Sequence, residues 1–316
     1  MKRKRNIIGL SLLLFSILSC TEIIDDFEFK EKDTKIVVNG IMKNDSLLYL
    51  HISKSIPAQA PDTILPLKNA TVELYRFDEL LEKLTYDEEG FYHTSSFTNP
   101  TGSKEYKIRV EANNLQTVEA TTEFPAKPQV LSIDTFRENS NDEYEFYYND
   151  GLSFKLKFRD NPNEKNYYMV EIKKYGKVFY YDYSSYVEDS TVGFTSASLV
   201  TDDEIIEVEY DGGDYWQAVP EWQSYGTRFA FSDKLINGKE HTLKINQDYY
   251  YYETPQDSLI YVMFHSISKD YFDYMLRRAM VNETEGNPLV EPVTLYSNIK
   301  NGLGIFGSQN TYVKTF

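Results

Sequence analysis

Apolar and polar residues alternate with a period of two through most of this chain, and that pattern narrows its fold more than any other feature. In Glu105–Glu111, Tyr106, Ile108 and Val110 fall on one side, while Glu105, Lys107, Arg109 and Glu111 fall on the other. Ser153–Arg159 repeats this, with Phe154, Leu156 and Phe158 against Lys155, Lys157 and Arg159. Val72 and Leu74, then Tyr168, Val170 and Ile172, then Ile206, Val208 and Tyr210 extend the pattern into segments 71–75, 167–173 and 205–210. Successive strand side chains point to opposite faces, so each segment places one face on a core and one in water, as antiparallel sheets do. Leu259–His265 is apolar on both faces and reads as a central strand. Turn clusters divide these runs: Asp87-Glu88-Glu89-Gly90, Asn99-Pro100-Thr101-Gly102, Asp160-Asn161-Pro162-Asn163, Asp211-Gly212-Gly213-Asp214 and Asn237-Gly238. Many short strands at this spacing predict sandwiches rather than a parallel sheet, which would need helices between strands.

The 316 residues suggest about two domains at ~150 residues each. Phe124-Pro125-Ala126-Lys127-Pro128 suits a linker, because two prolines remove ladder donors and stiffen the chain. The expected fold is mainly β, with two β-sandwich-like domains: an immunoglobulin-like one over 33–126 and a larger β domain with one helix over 129–316. The helix falls near 268–280. Ser268 can cap it, Asp270 and Asp273 sit early, Arg277 and Arg278 sit late, and Phe272, Met275, Leu276 and Ala279 form a stripe. The stripe reads as a core face laid over a sheet, with a partner-docking face as the functional alternative.

The N-terminus carries Lys2-Arg3-Lys4-Arg5, an apolar run from Ile7 to Leu18, and Ser19-Cys20. That order describes a secretory signal peptide over 1–19. The run is shorter than the ~20 apolar residues of a membrane span. Ile17-Leu18-Ser19-Cys20 resembles a bacterial lipobox, in which the cysteine thiol takes a diacylglycerol and the chain is cut before it. The alternative is an ordinary secreted protein with its one cysteine at the cut site. A single cysteine excludes a disulfide framework and a Cys-based zinc site. Residues 20–32 then read as a lipidated acidic tether. Thr21 stands where, in the bacterial sorting rules this resembles, an Asp would retain the protein at the inner membrane. Glu22, Asp25, Asp26 and Glu28 resemble the surface-export signals of Bacteroidota lipoproteins, or form a plain solvated spacer. Cutting before Cys20 removes Lys2, Arg3, Lys4 and Arg5 and takes the formal charge from −16 to −20. An excess of 49 Asp and Glu over 33 Lys and Arg argues against a nucleic-acid partner, because phosphate binding runs on clustered cations.

No catalytic centre emerges. Gly302-Leu303-Gly304-Ile305-Phe306-Gly307 matches the dinucleotide fingerprint in letters, but that motif works by opening a helix, with an acidic residue ~20 positions on. Too little chain follows Gly307 for either. Close backbone approach, with Phe306 plugging a core, explains the segment better. His51, His93, His241 and His265 show no ligand spacing and read as exposed or hydrogen-bonded strand residues. No Gly-x-Ser-x-Gly elbow occurs, and abundant carboxylates leave a glycosidase-type pair open. Asp211-Gly212-Gly213-Asp214 reads as a turn rather than a calcium loop. No cofactor or metal is expected. Tyrosines crowd at 144–148, 180–186 and 249–252 and suit either strand packing or a binding surface. Tyr215, Trp216 and Trp222 lie among turn residues and are the candidates for an exposed binding surface.

Several strings together resemble a known family. They are Lys35-Ile36-Val37-Val38-Asn39-Gly40, Ile52-Ser53-Lys54-Ser55, Asn69-Ala70-Thr71-Val72, Phe158-Arg159-Asp160-Asn161-Pro162 before Asn166-Tyr167-Tyr168, and Phe231-Ser232-Asp233 before Asn237-Gly238-Lys239. The tail runs from Asn298 through Gly302, Gly304 and Phe306 to Gly307. In this order they resemble the Bacteroidota outer-membrane lipoprotein family known as domain of unknown function 4249. The resemblance implies an outer-membrane or periplasm-facing lipoprotein, often encoded beside a TonB-dependent transporter, with no catalytic residues to carry over. The expectation is therefore a lipid-anchored, non-catalytic accessory of an outer-membrane transporter. A stand-alone surface protein that binds a glycan or peptide is the alternative, and an envelope hydrolase the third.

Overall fold

Alternation builds the core strand by strand. In β1 (Ile36–Lys43), Ile36, Val38 and Met42 point into one core, while Ile41 serves another on the opposite face. The computed structural model describes residues 34–44, 46–56, 64–96, 100, 104–136, 152–182, 187–211, 227–248, 259–284, 291 and 293–316. The N-terminal half continues with β2 (Tyr49–Lys54), β3 (Leu65–Pro66), β4 (Thr71–Arg76), β5 (Glu79–Lys83), β6 (Thr85–Tyr86), β7 (Phe91–His93), β8 (Lys104–Glu111) and β9 (Val118–Phe124). The second half supplies β10 (Gln129–Phe136), β11 (Ser153–Arg159), β12 (Tyr167–Asp182), β13 (Val187–Ser196), β14 (Ser198–Val200), β15 (Val208–Asp211) and β16 (Thr227–Ser232). β17 (Glu240–Asp248), β18 (Leu259–Ile267), helix α1 (Lys269–Thr284) and β19 (Leu303–Thr315) complete it.

Among the described residues these strands form three sheets. The large one runs β15-β16-β12-β18-β19-β1-β2-β7-β6, with β13 on β12 and β3 on β2. A sheet β5-β4-β8-β9 covers its first part, and a sheet β10-β11-β17-β14 covers its second. The first core lies between Val38, Leu50 and Ile52 and the facing Leu74, Ile108, Val110 and Phe124. The second joins Phe154, Leu156, Phe158 and Leu243 to Val170, Phe229, Phe231 and Phe264. The fold is mainly β with two sandwich cores, and β18 is central between β12 and β19.

The two cores share one sheet because the first and last strands pair in parallel, with Val38 opposite Gly304 and Ile41 opposite Gly307. A parallel pair needs a long crossover, and here nearly the whole body serves as one. Alternation foretold antiparallel neighbours, and every other strand pair among the described residues obeys. It assigns each side chain a face but says nothing about which strand lies alongside.

Helix α1 lies on the outer face of the large sheet. Tyr271, Phe272 and Met275 pack on Ile41, Met169, Ala230, Ile267 and Ile305, and Leu276 and Ala279 are half-buried against them. Ser268 caps it: Oγ accepts from Tyr271 N at 3.3 Å and from Ser308 N at 3.1 Å, tying the helix start to β19. Ser268→Ala is expected to cost about 1 kcal/mol, read as a lower urea midpoint. The helix runs on to Thr284, so Arg277 and Arg278 sit mid-helix rather than in the last turn expected of them, and no basic residue faces the helix end. The strand expected from Ile205 starts instead at Val208. Asp203 holds Ile206 in a turn through Ile206 N to Asp203 O at 3.2 Å.

Candidate binding groove

On β2, Leu50 and Ile52 point into the first core, so Tyr49 and His51 must take the outer face. On β7, Tyr92 points in and Phe91 and His93 point out. The register sets Tyr49 against His93 and His51 against Phe91, with ring centroids 5.5 and 5.0 Å apart. The rings of Tyr49, His51 and Phe91 floor a cavity of about 420 Å³ that also takes in Ile41, with Lys43, Ser46 and Leu47 on one wall and Asp87, Glu88 and Glu89 on the other. That size falls in the range of ligand sites.

The acidic wall is a tight turn. Asp87 N donates to Phe91 O and Phe91 N to Glu88 O, both at 2.9 Å. Glu89 (φ 51°) and Gly90 (φ 90°) take the left-handed region to close it. Gly90 also lies against β2, where a Cβ would stand 2.7 Å from Ile52 O. The His51 Nε2 is 3.2 Å from Glu89 O, joining the floor to the wall. Burial pushes the His51 ring below its ordinary 6.5, against the pull of that carbonyl, which disfavours a charge on that ring. Sequence reading placed 87–90 as a turn and His51 and His93 on strands, but did not bring them together. The available signal was the pair of aromatic rings on the outward positions of β2 and β7.

A second polar cluster lies on the same outer face, built by β12, β16, β18 and β19. The Glu171 carboxylate is 3.0 Å from Arg228 Nε, 3.4 Å from His265 Nε2 and 3.8 Å from Lys173 Nζ. His265 Nδ1 meets Thr311 Oγ1 at 2.8 Å, whereas its Nε2 has ion-pair proximity to Glu171 without a hydrogen bond. Burial alone would raise the Glu171 carboxyl, but Arg228, Lys173 and His265 outweigh it and hold the group well below the usual carboxylate range. Burial lowers the His265 ring despite Glu171 beside it. His241 meets Asp203 at 2.7 Å in a separate pair. Among the described residues no three His, Cys, Asp or Glu side chains gather as metal ligands would.

The tail residues are placed as packing elements. Asn298 clamps β19, with Oδ1 accepting from Phe306 N at 3.0 Å and Nδ2 donating to Phe306 O at 2.8 Å and Thr121 O at 3.0 Å. Phe306 is fully buried in the first core. A Cβ on Gly302 would stand 2.7 Å from Ile36 O, and one on Gly307 2.9 Å from the Tyr271 Cβ. Gly304, at φ 101°, would put a Cβ 2.1 Å from Val38 O. The strings over 158–168 and 231–239 converge on one end of the second core. Asp160, buried, accepts from Tyr168 Oη and from Gly238 N, both at 2.7 Å, and Asp233 accepts from Asn166 N at 2.8 Å. Burial raises both the Asp160 carboxyl and the Tyr168 hydroxyl. Cys20, Tyr215, Trp216 and Trp222 lie outside the described residues, as do the tyrosines at 144–148 and 249–252. Of the tyrosines at 180–186, only the backbone of those in β12 is described.

Fold and site together define a two-core β-sandwich protein closed by its own first and last strands, with a helix and an aromatic groove on its outer face. The chain belongs to the family described as Domain of unknown function (DUF4249), whose match spans residues 24–315. No curated protein matches the sequence. Among solved structures, the chain is similar at 10% identity to a Corynebacterium diphtheriae protein described as membrane anchored, covering 86% of this chain and 59% of that one with a TM-score of 0.22. The chain thus spans about three-fifths of that protein's length. No helix among the described residues is long and apolar enough to cross a membrane.

Proposed function

We propose that this chain is a lipid-anchored protein of the bacterial cell envelope, attached to the outer membrane through Cys20 and serving as a non-catalytic accessory of an outer-membrane transporter of the TonB-dependent type. The observation that carries the reading is the position of the single cysteine, at the end of a basic and then apolar leader. Charge supports it. A body at −20 is repelled by anionic lipid, so attachment must come from acyl chains, of which several together anchor stably. The tether over 20–32, fully stretched at ~3.3–3.6 Å per residue, lets the body stand no more than about 45 Å from the bilayer. The groove favours a second reading, a stand-alone binding lipoprotein that needs no barrel. Affinity purification of the tagged full chain from membranes in mild detergent separates the two. A large β-barrel is expected to come down with it, and recovery of the chain without any barrel contradicts the accessory role.

A further inference from the structure

We propose that the groove binds an extended basic peptide, its Lys or Arg side chains alternating with apolar ones. This rests on the groove being a ligand site and is independent of the lipid anchor. Asp87, Glu88 and Glu89 are all exposed, and no Lys or Arg among the described residues pairs with them. Three carboxylates without a basic partner, on one wall above an aromatic floor, complement a cation carried on an apolar stem. Tyr49, 47% exposed, and the half-buried Phe91 offer ring faces to the same cation. The floor is part of a sheet, so its side chains recur at the two-residue spacing of an extended strand, and alternate side chains of a bound strand would meet alternate positions on it. A neutral glycan would stack on the rings but make no use of the net charge of the wall.

The test uses the full chain in mild detergent and two fluorescein-labelled hexapeptides, Lys-Tyr-Lys-Tyr-Lys-Tyr and Glu-Tyr-Glu-Tyr-Glu-Tyr, followed by anisotropy. The lysine peptide is expected to bind and the glutamate peptide not. Affinity is expected to fall about tenfold on raising NaCl to about 0.3 M, where the screening length drops below ~8 Å. The double substitution Asp87→Lys with Glu88→Lys, and separately Tyr49→Ala, are each expected to weaken binding about tenfold. All three residues are exposed, so melting temperatures should stay at the parent value. Equal binding of both peptides, no binding of the lysine peptide, or binding indifferent to the groove substitutions would overturn the proposal. Displacement by a neutral N-acetylglucosamine hexamer, insensitive to salt, would overturn it in favour of a glycan. Each of these outcomes leaves the Cys20 anchor and the barrel co-purification standing or falling on their own measurements.

Discussion

Gly304→Ala is expected to uncouple the first and last strands and to destabilise the body by about 3 kcal/mol or more. Two effects add. The residue sits at φ 101°, which side chains with a Cβ rarely adopt, and the new methyl would meet the Val38 carbonyl oxygen at 2.1 Å. That oxygen belongs to backbone, which cannot swing aside as a flexible side chain would. Relief must come from separating β1 and β19, the pair through which the two cores share a sheet. Urea unfolding followed by circular dichroism measures it, with Leu303→Ala as the control. Leu303 is 41% exposed and its loss should shift stability by no more than about 0.5 kcal/mol. A wild-type midpoint for Gly304→Ala would show that β1 and β19 are not in this register.

Glu171→Gln is expected to cost about 3–5 kcal/mol at neutral pH, because removing one partner from a buried ion pair strands the other. Arg228 at 3.0 Å and Lys173 at 3.8 Å would keep their charges without the carboxylate that offsets them. The same cluster sets the acid limb of stability. The Glu171 carboxyl lies well below its ordinary 4.5 in the fold, so its contribution is complete above that pH and is lost as pH falls further. The His265 ring is lowered from 6.5, so the unfolded chain takes up a proton there first, and stability again falls as pH falls. Both slopes share one sign. Midpoints should decline from about pH 6.5 and more steeply below about 4.5, and the gap between parent and Glu171→Gln should narrow toward acid. A gap that stays constant or widens there would mean that Glu171 is not held ionised by its neighbours.

Much of the fold was legible because burial acts residue by residue. Tyr106, Ile108 and Val110 turned inward as their alternation required, and so did Phe154, Leu156 and Phe158. The helix was legible because its cap and apolar stripe agreed, though its end was not, since the sequence carries no stop at 280. The β1–β19 pairing stayed hidden because parallel partners distant in sequence leave no local mark. The glycines at 302, 304 and 307 announced a close approach without naming what approaches. The groove was missed for the same reason. Tyr49, Phe91 and the turn at 87–89 become neighbours only through strand register. Glu171 and His265 read as ordinary members of strands, and only the pairing of β12 with β16 and β18 brings the buried ions together.

The anchor at Cys20 is the claim on which the envelope placement stands, and intact mass spectrometry of the mature protein extracted from membranes tests it most directly. The expected species begins at Cys20 and carries a diacylglycerol on sulfur and a fatty acyl group on the new amine. A free thiol at Cys20, or a mature chain that begins elsewhere, would contradict it.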